Sequence, residues 1–326
     1  MPLSVVCHAL GAPETLRLEQ LPRPDLRSGE VRIAVHAAGI NFPDILMCAG
    51  DYQLKPELPF VPGVEVAGEV IEIAEPAAAK LAIGNRVIAR MRFGGYAEEV
   101  VVDARSLSPW PATFDAAEAA TYLAGHGTAY HALVERARLE AGEWLLVHGA
   151  GGGVGLAAVE LGKVLGAKVI ATASSDDKLE AARSRGADYL IRYDRESFRD
   201  AVKRLTDGRG VDVVFDPVGG EVFEQSLRCI AFGARLLVVG FTGGIGVART
   251  NLVLIKGASV LGVRAGESAR RDPALATARQ AALEQLAAQG KLRPHVSHRL
   301  PLARFAEAMR LLTDRKAIGR VALMMR

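Results

Sequence analysis

The stretch Leu145-Leu146-Val147-His148-Gly149-Ala150-Gly151-Gly152-Gly153-Val154-Gly155 decides how this chain is read. Its apolar start has the length of a short buried strand, its glycines demand a tight turn, and the apolar spacing that follows to residue 165 is helical. Strand, glycine turn and helix N-terminus together form an anion cradle. The first N–H groups of a helix have no intrahelical partner and present partial positive charge. Glycine is needed because a Cβ there would hold off both a phosphate and the neighbouring strand. The spacing is Ala150-x-Gly152-x-x-Gly155, a dinucleotide-binding pattern with alanine at its first glycine.

Downstream, the chain alternates short apolar runs with helical ones. Strands are expected at 144–148, 168–172, 189–191, 211–215, 235–239 and 259–263. Helices are expected at 155–165, 177–184, 197–206 and 222–229, with a weaker one near 252. This alternation predicts a doubly wound parallel α/β sheet and supplies the strand and helix that the glycine pattern requires. Upstream, β-branched runs at 30–40, 64–73, 84–89 and 94–101, separated by glycine- and proline-rich bends, suggest a compact, partly open β-barrel. Residues 115–123 have helical composition, Gly125-His126-Gly127-Thr128 breaks it, and 129–137 resumes it; the break is read as a hinge. After 266 come a helix at 273–289, a polar segment at 291–299, a helix at 302–313 and a strand at 319–323. That tail has too little apolar surface to fold alone and is expected to pack on the first domain. The expected division is therefore 1–125 with 267–326, and 126–266.

A chain of 326 residues exceeds the usual single-domain size. The net charge of +3, with no cluster of basic residues among aromatics, implies no nucleic-acid partner and no membrane surface. Cys7, Cys48 and Cys229 are far apart and fit neither a disulfide framework nor a clustered zinc site. No secretion signal or membrane span is visible, so a cytoplasmic location is expected.

An acid closing the second strand would bind a ribose 2′-hydroxyl and repel a 2′-phosphate. Here that strand runs into Ser174-Ser175, and Asp176 and Asp177 come only later, followed by Lys178. Small hydroxyls and a lysine suit a phosphate, which favours NADPH over NADH. Lys178 has a second reading, as a solvated helix lysine paired with Asp176 or Glu180. Tyr193, just past the third strand, is placed to cover the adenine or to reach the same phosphate.

These residues resemble the medium-chain dehydrogenase/reductase superfamily, and within it the zinc-free quinone oxidoreductase branch, over essentially the whole chain. The most specific match is Gly142-Glu143, Leu146, Ala150-Gly151-Gly152-Gly153-Val154-Gly155 and Lys163. Asn41-Phe42-Pro43-Asp44, Gly50-Asp51-Tyr52, Pro59-Phe60-Val61-Pro62-Gly63, Gly94-Gly95-Tyr96-Ala97-Glu98, Asp216-Pro217-Val218-Gly219-Gly220 and Gly319-Arg320-Val321 add to it. Glu160 departs from the branch, which usually has glutamine there. The resemblance implies a GroES-like fold for the barrel beside a Rossmann-type sheet, and transfer of a hydride or its electrons from NADPH to a quinone in the cleft between domains. Reduction of activated alkenes (enones, acrylates or enoyl thioesters) and a nucleotide-binding sensor or structural role are the alternatives.

Zinc alcohol dehydrogenases of the superfamily hold zinc through a cysteine and a histidine whose positions correspond here to Asn41 and Val64. Neither side chain is a usual zinc ligand, and the four-cysteine structural lobe is missing, so no metal is expected. The resemblance places Asn41 at the nicotinamide or substrate, with a turn asparagine as the alternative, and Thr128 near the nicotinamide ribose. Tyr52 reads as a proton donor to a developing enolate or as a packed tyrosine. Asp44 reads as orienting Asn41 or capping the helix that follows. Gly240-Phe241 and Val263-Arg264 are expected to line the nicotinamide end, because ligands bind beyond the carboxyl ends of strands. Arg264 stands where the branch often has an apolar or aromatic residue, and reads as a contact for an anionic substrate or an ion pair with Glu267. His126 and His131 read as structural rather than proton-carrying. Branch members commonly form dimers or tetramers across a two-fold axis, with 259–263 as the pairing edge.

Overall fold

The computed structural model describes residues 1–75 and 81–325. Two compact units divide the chain, Met1–Ala124 with Arg293–Arg326, and Gly125–Leu292.

The second unit is built on a six-stranded parallel sheet in the spatial order Tyr189–Arg192, Lys168–Ala173, Trp144–Val147, Val211–Asp216, Ile230–Val238, Ser259–Gly262. Counted along the chain this is 3-2-1-4-5-6, the doubly wound order, whose switch point lies beyond Val147 and Asp216. The central strands are apolar because both faces are covered: Leu145, Leu146, Val147, Val213, Val214 and Phe215 have no exposed surface. The fifth strand starts at Ile230, ahead of the expected 235, and the ladder shifts register between Val211 and Val213 to take in the extra residues. Helices Gly153–Val164, Asp176–Ser184, Phe198–Leu205, Gly220–Ser226 and Thr250–Lys256 connect the strands.

Two expectations for this half are corrected. The anticipated break at Gly125–Thr128 is absent: one helix runs Tyr122–Tyr130 and passes directly into a π-helical stretch, His131–Arg136. Each mid-helix glycine costs about 1 kcal/mol, which burial of Leu123, Ala129, Ala132 and Leu133 offsets. Residues 267–292 were expected with the first domain but lie in the second compact unit. The reason is a buried ion pair: Arg279, on helix Pro273–Ala288, forks onto both carboxylate oxygens of Glu135 at 2.7 and 2.8 Å.

The first unit holds a seven-stranded sheet. Glu30–Gly39 is its spine, pairing antiparallel with Glu65–Ile73 on one side, and with Glu99–Asp103 and Arg320–Met324 along its length on the other. Arg86–Arg90 and Leu107–Pro109 extend it beyond Glu65–Ile73. Val296–Pro301 adds parallel to Arg320–Met324, although its sequence reads as a polar segment. Only Leu300 of that strand is buried, so the ladder rather than apolar patterning recruits it. A small hairpin, Leu3–Val6 with Arg17–Gln20, completes the unit. Its core gathers Val31, Ile33, Val66, Tyr96, Met309 and Leu323. Cys7, Cys48 and Cys229 are free thiols, all buried. No helix among the described residues is long and apolar enough to cross a membrane.

Candidate functional site

The glycine turn sits at the switch point. His148 N–H bonds to Phe215 O and Ala150 N–H to Thr172 O, which ties the turn to both flanking strands. Gly149 takes φ +56° and its carbonyl accepts from Gly152 N–H at 2.9 Å. Helix Gly153–Val164 follows, so the first-turn amides still lacking an intrahelical partner are those of Gly153, Val154 and Gly155. Space explains the glycines. A Cβ on Gly155 would lie 2.3 Å from Gly149 O and 2.8 Å from Ala150 Cα, so only hydrogen lets this helix approach its strand. A Cβ on Gly151 would meet the Lys178 stem, 2.5 Å from its Cβ and 2.6 Å from its Cγ. Beneath the turn the buried His148 ring bridges Thr172 Oγ1 and Ser226 Oγ, both at 2.9 Å, and burial pushes its pKa down to about 3. It is therefore a neutral strut.

At the end of the second strand Ser174 and Ser175 are half-buried. Ser175 caps helix Asp176–Ser184 by accepting from Lys178 N–H. Asp176 is turned toward cations, 2.6 Å from Arg192 and 3.6 Å from Arg195. The motif reading missed Arg192; the only signal for it is a charged residue closing the third strand next to Tyr193, which is exposed.

Beyond the last two strands, Gly240 is half-buried, Phe241 exposed, Val263 buried, and Arg264 projects with 63% of its side chain exposed. Arg264 approaches Glu267 only to 4.0 Å, while Arg270 and Arg271 already hold that carboxylate at 2.7 and 2.8 Å. Those two guanidiniums lower the Glu267 pKa to about 2. The segment is pinned at both ends. Arg136 Nε donates to Gly262 O, and Arg279 donates to Ala265 O and Ser268 Oγ, each at 3.2 Å. Glu135 also accepts from His131, and His126 meets Glu160 at 2.9 Å with Arg185 on the other oxygen. Both histidines sit in buried ion-pair surroundings, and Glu160, the departure from the branch, is what receives His126. Thr128 lies half-buried on helix Tyr122–Tyr130.

In the first unit, Asn41 opens helix Phe42–Ala49 from the end of the spine strand. Its N–H donates to Asp44 Oδ2 at 2.8 Å, its Nδ2 to Gly39 O at 3.2 Å, and its Oδ1 accepts from Arg320 Nη2 at 2.7 Å. Asp44 thus performs the helix-capping role, and its Oδ2 also accepts the Tyr96 hydroxyl at 2.8 Å. Arg320 in turn stands 3.6 Å from Glu65, whose other oxygen accepts from Ala124 N–H. All these side chains are buried. Neither Arg320 nor Glu65 was legible as part of a site; the signal is a fully or nearly buried charge opening each of two strands, Glu65–Ile73 and Arg320–Met324. Val64 is half-buried, and Tyr52 packs half-buried on the first-unit core.

Burial raises the Asp44 pKa to about 7, against the pull of Tyr96, Asn41 and Arg320. A carboxyl whose pKa is higher folded than unfolded supports the fold below its unfolded value near 3.8, and that support fades as pH rises to about 7. Asp44→Asn, which mimics the protonated acid, is expected to gain stability relative to the parent between pH 4 and 7. Urea unfolding at several pH values checks this, and a difference that stays constant with pH refutes it.

Comparison with known proteins agrees with this architecture. Residues 27–112 match the alcohol dehydrogenase GroES-like domain and residues 153–284 the zinc-binding dehydrogenase family. The chain belongs to the quinone oxidoreductase branch of the medium-chain dehydrogenase/reductase superfamily, and it is an oxidoreductase. It is 40% identical to quinone oxidoreductase-like protein 2 homolog of Nematostella vectensis, covering 98% of this chain and 88% of that one. A probable oxidoreductase from Mycobacterium abscessus superposes with TM-score 0.90 at 39% identity, covering 99% of this chain and 98% of the other. Escherichia coli quinone oxidoreductase, solved as a complex with NADPH, gives TM-score 0.90 at 27% identity, with 99% of each chain covered.

Proposed function

We propose that this protein is a zinc-independent NADPH:quinone oxidoreductase, with unit 125–292 holding the cofactor and the remainder selecting the acceptor. The observation that carries the cofactor choice is the Lys178 stem lying on Gly151 while the second strand ends in Ser174 and Ser175, with no carboxylate. Asp176, the nearest acid, is bound to Arg192. Lys178, Ser174 and Ser175 would hold a 2′-phosphate, and Tyr193 would flank the adenine. The amides of Gly153, Val154 and Gly155 would receive the pyrophosphate. Thr128 would contact the ribose, and Gly240, Phe241, Val263 and Arg264 would wall the nicotinamide. When bound, the cofactor supplies the hydride. The relative named for quinone reduction and the structure solved with NADPH support this reading.

Donor chemistry supports zinc independence. The Asn41 amide oxygen already accepts from Arg320, and Val64 has no donor atom, whereas Zn²⁺ takes thiolate, imidazole or carboxylate. Stabilisation of a developing oxyanion therefore falls to hydrogen bonds, with Asn41 and Tyr52 as donors. That restricts acceptors to those that delocalise charge, and quinones do so best. The exposed Arg264, only loosely tied to Glu267, favours an anionic conjugated alkene as the second reading. The edge strand Ser259–Gly262, flanked by exposed Phe232, Leu254 and Ile255, supports pairing with a second copy. Buried free thiols suit a reducing, cytoplasmic setting.

NADPH consumption with 1,2- and 1,4-quinones, an enone and an acrylate tests the reading. Fastest turnover is expected with a quinone; tight NADPH binding with no turnover of any acceptor overturns it, and about one zinc per chain in metal analysis overturns the metal-free site. Lys178→Ala is expected to weaken NADPH about 10- to 100-fold, the value of a charge-assisted hydrogen bond, while leaving NADH nearly unchanged. Equal weakening of both removes the 2′-phosphate contact.

A further inference from the structure

We propose that Arg320 is a positioning residue that makes Asn41 an obligate, charge-strengthened hydrogen-bond donor to the carbonyl oxygen of the acceptor. The inference rests on the reading of Asn41 as an acceptor contact. A guanidinium has five donors and no acceptor. Because Arg320 Nη2 lies 2.7 Å from the Asn41 amide, the atom facing it must be the oxygen, and Nδ2 must face the other way. One Nδ2 hydrogen goes to Gly39 O. The second is left to donate. Asn41 can therefore offer a ligand a donor, on the side of the amide away from Arg320.

The backbone leaves this amide no room to swing. Asn41 N–H is fixed on Asp44 Oδ2, which Tyr96 holds from the other side. Arg320 is held in turn by Glu65 at 3.6 Å, and Glu65 by Ala124 N–H, so the cation stays buried with a counter-charge behind it. Asn41 is 4% exposed and Arg320 8%. In such surroundings a hydrogen bond polarises the next one in the chain: positive charge on the amide oxygen draws electrons from the nitrogen and strengthens its remaining N–H as a donor. Hydride addition brings two electrons to the acceptor, whose oxygen carries the negative charge until it takes a proton from water. A donor aimed at that oxygen is worth about 10²- to 10³-fold in kcat. The buried cation acts there through the amide, with no metal.

The test is a double-mutant cycle between Arg320 and Asn41, reading kcat and KM for a quinone together with the affinity for 2′,5′-adenosine diphosphate, which carries the 2′-phosphate but no nicotinamide. Asn41→Ala and Arg320→Gln are each expected to lower kcat about 100-fold with KM little changed, and the double variant to be no slower than Asn41→Ala alone. Arg320→Lys, which keeps the charge and one donor, is expected to lie within about tenfold of the parent. Should Arg320→Gln fail to fold, the Lys variant carries the cycle: its loss must vanish in the Asn41→Ala background. Additive losses, or a fall in 2′,5′-adenosine diphosphate affinity parallel to kcat, overturn the proposal, since they mark a general loosening. An active Arg320→Gln beside an inactive Asn41→Ala overturns it while leaving the role of Asn41 intact. A fully active Asn41→Ala overturns both.

Discussion

Gly155→Ala is expected to cut cofactor affinity about 100-fold, whereas Gly151→Ala acts chiefly on the discrimination between NADPH and NADH. The difference lies in what each new methyl meets. At Gly155 the three nearest atoms, between 2.3 and 2.9 Å away, all belong to the backbone of Gly149 and Ala150. Those residues are tied to Thr172 and Gly152, so relief requires moving the turn itself. Overpacking of this kind costs about 1–3 kcal/mol, and rigid backbone on the far side puts it at the upper end. At Gly151 the obstacle is the root of the Lys178 side chain, Cβ at 2.5 Å and Cγ at 2.6 Å, so relief shifts the start of helix Asp176–Ser184 and with it the proposed 2′-phosphate contact of Lys178. Calorimetric titration with both nucleotides separates the cases. Gly155→Ala binding as tightly as the parent would refute the close-approach account of this turn.

Arg279→Met is expected to destabilise unit 125–292 by about 3–5 kcal/mol, because it leaves Glu135 buried without its cation. Arg279 is 5% exposed and makes both parallel contacts to Glu135, so little water is at hand to take over. At this size the loss corresponds to a drop of about 10 °C in Tm. Arg279→Met combined with Glu135→Leu is expected to recover most of it, since an apolar pair can replace a buried ion pair at little cost. The double variant should nonetheless bind NADPH less tightly, because the bonds to Ala265 O and Ser268 Oγ that hold the segment after Val263 are gone. Calorimetric melting with and without nucleotide reads both effects. A single variant that melts like the parent refutes the pair's importance.

The parallel sheet was legible because its strands are short, largely apolar runs bounded by turn chemistry, and because the strand before and the helix after the glycines at 151, 152 and 155 supply the context that the pattern requires. The helix through Gly125 and Gly127 was not, since packing of Leu123, Ala129 and Leu133 outweighs the glycine cost. Strand Val296–Pro301 was hidden for the opposite reason: its middle residues Ser297, His298 and Arg299 are polar, and its partner's ladder calls it into the sheet. In the site, Asn41, Asp44 and Lys178 stood out through local motifs. Arg320, Glu65, Glu135 and Arg279 did not, because their meaning lies in pairings between distant positions, and a single sequence without its fold does not show who meets whom.

Arg320 enters the chain 279 residues after Asn41, on a strand lying between Glu30–Gly39 and Val296–Pro301. During synthesis on the ribosome, Asn41, Asp44 and Glu65 emerge early, and their guanidinium is not yet made. The segment Gly125–Leu292, by contrast, contains every strand of its own sheet in one uninterrupted run. A nascent chain is therefore expected to complete the sheet of Gly125–Leu292 before that of the first unit, reversing the usual order in which amino-terminal domains fold before later ones. The residue proposed to aim the reaction's hydrogen bond thus lies on the last strand that the first unit's sheet receives.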